Sequence, residues 1–178
     1  DPRNARALFA AARIPGARFF DIEQIADQQT HLPHMVPSAE YFARCVSELG
    51  LANSDRVVVY DQHGMFSAPR AWWMLRLFGH DQVAVLDGGL PRWRAEQRPV
   101  ALAPPRAPAP ARFRSALRAR LLRGPGDIRD NLRTQRELVI DARSADRFHA
   151  RVPEPRPGLR GGHIPGARNL PYGELLTA

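Results

Sequence analysis

The sequence predicts an α/β protein with a mainly parallel sheet flanked by helices. Three observations carry this. Two β-branched runs, RVVVYD at 56–61 and VAVLDGG at 83–89, are apolar without polar alternation, as strands covered on both faces are. A helical stretch stands between them, and strand, helix, strand is the succession of a right-handed crossover unit. The 178 residues, 44% of them apolar, supply one sizeable core, or one domain and part of another.

The elements follow in order. Ser38 to Gly50 reads as a helix: Ser38 can accept from the free N–H groups of the first turn, Glu40 suits the positive end of the dipole, and Gly50 can turn left-handed at the end. Phe42, Val46 and Leu49 share its apolar face, with Cys45 beside them. After RVVVYD and the loop QHGMF, SAPRAWWMLRLFGH reads as a second helix, with Ser67 as N-cap, Pro69 in the first turn and Gly79 as terminator. The turn VLDGG leads into a short helix, LPRWRAEQ. PVALAPPRAPAP, from Pro99 to Pro110, is too proline-rich for a helix interior or central strand and reads as a stiff, extended linker. GDIRDNLRTQRE is a helix feeding LVIDAR, a strand that ends in a carboxylate. The expected division is therefore a first domain over 1–98, a linker over 99–125, and the start of a second domain over 126–178.

Composition removes several function classes. No run of 18 or more apolar residues and no secretory leader pattern appear, which points to a soluble, cytoplasmic protein. One cysteine, Cys45, leaves no internal disulfide. The net charge of +8 is all arginine, since lysine is absent, and arginine with abundant alanine and proline is what a GC-rich coding bias gives. The basic residues are spread along the chain without aromatic interleaving or zinc-ligand spacing, so the expectation is no nucleic-acid partner, no membrane partner and no metal.

One pentapeptide occurs twice. IPGAR stands at Ile14–Arg18 and again at Ile164–Arg168, each time as a Pro-Gly step leading into an extended segment. Read as a duplication, the second copy follows the strand LVIDAR by one loop, whereas the matching strand of the first copy would precede residue 1.

RIPGARFFDIE, HLPHMVP, VVVYDQHGMFSAPRAWWMLRLFGH, VLDGGLPRW, LVIDARSADRFHARVPEPRPG and GGHIPGARNLP, in that order, resemble the two-domain rhodanese-type sulfurtransferases, closest to those that use 3-mercaptopyruvate. The resemblance spans nearly all of the chain except the proline-rich stretch. It implies two rhodanese-like domains in tandem, the first inactive and the second catalytic, with no cofactor. It also implies the chemistry: a catalytic cysteine takes sulfur from 3-mercaptopyruvate or thiosulfate as a persulfide and passes it to a thiol or cyanide. A loop of backbone N–H groups opening on a helix N-terminus would lower the pKa of such a thiol.

The persulfide cysteine is expected beyond Ala178. Asp61 holds the equivalent place in the first domain; a carboxylate cannot form a persulfide, so Asp61 and Ser67 are read as serving the turn and the helix cap. Cys45, mid-helix beside Phe42 and Val46, reads as buried and structural. The resemblance gives Arg147 in ADRFHAR and Arg156 in PEPR the task of clamping the donor's carboxylate and carbonyl, which suits a planar, permanently charged fork. It places His34 in LPHM, and less firmly Glu23, where the first domain faces the substrate cleft. His63 has no nucleophile near it in sequence and stays unassigned. His163, matched by Arg13 in the first copy, reads as structural. The rival readings are a non-catalytic rhodanese-like binding module, an arginine-rich nucleic-acid binder, and phosphatase chemistry, which also needs a loop cysteine.

Overall fold

The computed structural model describes residues 2–103, 106–109 and 111–176. The chain forms two compact units, Asp1–Leu122 and Arg123–Ala178.

In the first unit, α1 (Pro2–Ala11) precedes the first IPGAR; nothing in the sequence had marked it as a helix. α2 (Ala39–Glu48) starts as expected, with Ser38 Oγ accepting from the Tyr41 N–H at 3.2 Å, and ends at Gly50 with φ +72°. β1 (Val57–Val59), α3 (Ala68–Leu77) and β2 (Val83–Val85) form the crossover: β1 and β2 pair in parallel, Val57 opposite Val83 and Val59 opposite Val85. α4 (Gly89–Ala95) and a 3₁₀ turn (Ala119–Leu121) complete the unit.

The core lies where α2 and α3 meet. Phe42, Val46, Met74, Leu77 and Phe78 are fully buried, and the Phe42 and Phe78 rings stack with centroids 4.1 Å apart. Val57, Val59 and Val83 press on this cluster from the sheet. Successive strand side chains point to opposite faces, so Val58 turns away from it and is 60% exposed. This corrects the expectation of strands covered on both sides: the described residues cover one face.

Of the stretch 99–125, expected as a linker, the described residues up to Leu122 are pinned to the first unit. Ala101 bridges Arg13 in antiparallel fashion. Phe113 is buried in the core, and its N–H donates to Ser47 Oγ at 2.9 Å. Asn53 brackets Arg114, donating to its carbonyl at 2.9 Å and accepting from its N–H at 2.7 Å. The Ala116 and Arg118 N–H groups donate to the Phe78 and Leu77 carbonyls, and the Arg118 guanidinium grips both oxygens of Asp81. Burying a phenylalanine stabilises by about 1.5–3 kcal/mol, which adds to the backbone bonds that hold this segment.

The second unit contains α5 (Pro125–Thr134), β3 (Ile140–Asp141), α6 (Ala145–Phe148), β4 (Arg168–Asn169) and a 3₁₀ turn (Tyr172–Leu175). β3 and β4 pair in parallel, Ile140 opposite Arg168. The two IPGAR segments fold into the same turn: the Ala17 N–H meets the Ile14 carbonyl at 3.0 Å, the Ala167 N–H meets the Ile164 carbonyl at 3.0 Å, and Gly16 and Gly166 both take φ +79°. Proline then glycine at a positive φ is a type II turn. In the second copy the turn delivers Arg168 into β4; the first copy leads into residues 17–21, which form no strand.

Candidate active site

The loop after β1 is organised by Asp61. Its Oδ2 accepts from the N–H groups of Phe66 (2.7 Å), Ser67 (2.7 Å) and Ala68 (2.9 Å), and its Oδ1 from that of His63 (2.9 Å). Burial by itself would raise the carboxyl pKa, but the four backbone donors outweigh it and hold the pKa below the usual carboxylate range. The expected roles of Asp61 and Ser67 therefore separate. Asp61 accepts from the N–H groups leading into α3, whereas the Ser67 side chain makes no capping bond: of the two positions an N-cap serves, Pro69 has no N–H and the Arg70 N–H donates to the Ser67 carbonyl at 3.0 Å.

The glycines of VLDGG shape the other wall of this loop. Gly89 has φ +53°, and a Cβ there would meet the Asp61 carbonyl at 2.8 Å and Gly64 Cα at 3.0 Å. The Leu90 N–H donates to that same Asp61 carbonyl at 3.0 Å. The loop is thus a cradle of N–H groups facing one negative charge, and the charge comes from the chain itself.

Glu23 and His34 come together in the first unit, with Glu23 Oε1 3.4 Å from His34 Nε2. His34 adopts φ +59°, which is uncommon outside glycine, and its carbonyl accepts from Arg70 Nη2 at 2.5 Å. In the second unit, Arg147 donates to Glu154 Oε2 at 2.5 Å, while Arg143 donates to Glu154 Oε1 at 2.7 Å and to Asp141 Oδ2 at 2.6 Å. The Glu154 side chain is only 4% exposed, and its bond to Arg147 is the largest influence holding its pKa down. Arg156, two residues beyond, is exposed and makes no ion pair among the described residues. Of the two arginines expected to clamp the donor, Arg147 is thus anchored and Arg156 projects.

Cys45 is buried, and burial pushes its thiol pKa up, against a partial lowering by the bond to Tyr41. His163 Nδ1–H donates to the Phe148 carbonyl at 2.8 Å, and the centre of its ring lies 3.7 Å from that of the Phe148 ring, nearly parallel to it. His63 is exposed, edge-on to Phe66. Among the described residues no cluster of His, Cys, Asp and Glu is placed to hold a metal ion, and no helix is long and apolar enough to cross a membrane. Arg70, Arg143 and Glu154 were not singled out from the sequence, although Arg70 lies in SAPRAWW and Glu154 in PEPR, both among the quoted motifs.

A model of the rhodanese-like domain matches residues 1–96. The chain belongs to the rhodanese family. It is 44% identical to human 3-mercaptopyruvate sulfurtransferase over 177 residues, 98% of this chain and 59% of the human one. It is also 44% identical to the chicken thiosulfate sulfurtransferase over 179 residues, 99% of this chain and 61% of that one. The crystal structure of SseA from Escherichia coli, described as a 3-mercaptopyruvate sulfotransferase, superposes with a TM-score of 0.88 at 39% identity, covering 98% of this chain and 65% of SseA. These matches bear out the α/β rhodanese fold and membership of the sulfurtransferase family. This rhodanese-family chain spans about 60% of the length of the curated relatives it matches.

Proposed function

We propose that the protein works as a sulfurtransferase that moves sulfane sulfur from 3-mercaptopyruvate or thiosulfate to a thiol or cyanide through a cysteine persulfide. The observation that carries this reading is the near-full-length likeness of the chain to relatives named for those two donors. The first unit is the inactive rhodanese domain: its loop has the N–H cradle that would stabilise a thiolate, but Asp61 fills it. The second unit begins the catalytic domain.

In this reading a thiolate attacks the donor's sulfur and the carbon–sulfur bond of 3-mercaptopyruvate breaks, leaving pyruvate after protonation of the departing carbon. Cyanide or a thiol then takes the outer sulfur and the thiolate returns. Arg156 is available for the donor's carboxylate, and Arg147, oriented by Glu154, for its carbonyl. His34, whose ring pairs with Glu23, is the first-unit residue that the family resemblance assigns to the substrate. The paired arginines favour an organic carboxylate over thiosulfate. Identity does not choose between them, being 44% to a relative of each name.

Cys45 is not the nucleophile, since it is buried with its thiol pKa raised. The 178 residues alone should therefore form no thiocyanate from 3-mercaptopyruvate and cyanide. Thiocyanate formation by the 178-residue chain that survives Cys45→Ser would overturn this assignment.

A further inference from the structure

We infer that Arg70 is the positioning residue for His34, holding the LPHM loop in the backbone conformation that turns the imidazole onto Glu23. The inference rests on the assignment of His34 to the substrate site.

Arg70 breaks three local rules at once. It is a cation in the first turn of α3, where the helix dipole presents its positive end. It is half-buried, and burial alone drives its pKa down, with no carboxylate pairing it among the described residues. One of its nitrogens, Nε, is buried without a partner. Residues that break local preferences are expected where function or a distant contact compensates.

The compensation lies in the LPHM loop. Arg70 Nη2 donates to the His34 carbonyl at 2.5 Å, across 36 residues of sequence, while the guanidinium lies 4.9 Å from the centre of the Trp73 ring. The residue whose carbonyl is gripped is the one at φ +59°. A non-glycine residue in the left-handed region costs about 1–3 kcal/mol unless its surroundings fix it. A charge-assisted bond to that carbonyl is a contact suited to fixing it. The geometry also explains the residue type. A planar guanidinium can lie on Trp73 and reach sideways to a carbonyl, whereas a lysine ammonium offers a point charge without the plane.

The test has two arms. In the 178-residue chain, the Cα and Cβ chemical shifts and the amide coupling constant of His34 report its left-handed backbone, and an Overhauser contact between its ring and Glu23 reports the pair. Arg70→Ala should abolish both signatures while the Phe42 and Phe78 resonances stay in place. Arg70→Lys, which keeps the charge and the stem, should weaken them and guards against a variant that does not fold. A folded Arg70→Ala or Arg70→Lys protein in which His34 keeps both signatures overturns the inference.

In a protein that carries these residues together with a persulfide-forming cysteine, Arg70→Ala should lower kcat by about ten- to a hundred-fold, with a smaller change in KM. The Arg70→Ala/His34→Ala double variant should be no slower than His34→Ala, because the two act through one group. Fully additive losses overturn the inference. If His34→Ala leaves turnover unchanged, the assignment of His34 to the substrate site falls, and the spectroscopic arm still decides whether Arg70 holds the loop.

Discussion

Replacing Asp61 probes the cradle most directly. In Asp61→Ala the N–H of Ala68, which is buried, and those of Phe66, Ser67 and His63, which are partly buried, lose their acceptor. A lost helix cap costs about 1 kcal/mol, and a stranded buried donor about 1–3 kcal/mol. Water reaches the partly buried donors, so the sum expected is about 2–4 kcal/mol. Asp61→Asn retains one oxygen for the donors at Oδ2 but loses the charge and the bond to His63, and should cost about 1–2 kcal/mol. The three tryptophans, Trp72, Trp73 and Trp93, all lie in the first unit, so urea unfolding followed by tryptophan fluorescence reads this unit alone.

The pH dependence gives the sign. The folded Asp61 pKa is depressed, so its contribution is complete above the unfolded value of about 3.9 and is lost as pH falls through the lower folded value. The gap between the natural protein and Asp61→Asn should be full at about pH 7 and should shrink well below about pH 4. An Asp61→Ala protein within about 0.5 kcal/mol of the natural one at neutral pH would refute the claim that this carboxylate organises the loop.

Three further outcomes are expected. Gly89→Ala places a methyl group 2.8 Å from the Asp61 carbonyl at a positive φ, and should cost about 2 kcal/mol or more in the same urea assay. Cys45, buried with its pKa raised, should react with a disulfide reagent only at the rate at which the first unit opens; native-state labelling as fast as that of a free thiol would contradict its burial. Glu154→Gln removes the charge shared by Arg143 and Arg147, so amide hydrogen exchange in the Ala145–Phe148 turn should accelerate near neutral pH. That difference should fade as acid protonates Glu154 in the natural protein, because its folded pKa is depressed.

Much of the fold was legible because local signals agreed with tertiary ones. Ser38 and Gly50 bracket α2, Gly79 ends α3, and the repeated IPGAR folds twice into one turn, since a Pro-Gly step dictates its own dihedral angles. The departures have tertiary causes. Ser67 looks like a cap by composition, but Pro69 offers it no N–H and the Arg70 N–H goes to its carbonyl, while a carboxylate six residues earlier takes the N–H groups of Phe66, Ser67 and Ala68. The proline-rich stretch reads as a spacer, yet the residue that anchors it, Phe113, lies beyond it and finds its partners across 66 residues.

The candidate site divides in the same way. The family resemblance pointed to Asp61, Arg147, Arg156, His34 and Glu23, but not to the groups that hold them. Arg70 and Glu154 act through a carbonyl and a shared carboxylate, and such contacts leave no periodic trace in one sequence.

The anchoring of Phe113 also sets the order in which the protein can be built. Chains emerge from the ribosome N-terminus first, at about 5–20 residues per second. When α2 and α3 are complete, the wall of the core that receives Phe113 is still open, and it waits for a residue that lies past the whole proline-rich stretch. Until Phe113 arrives, the Phe42 ring lacks the edge contact that Phe113 makes with it, at 6.0 Å between centroids. A chaperone that binds exposed aromatic surface would find its target in that interval, and an insertion between Arg98 and Phe113 would prolong it.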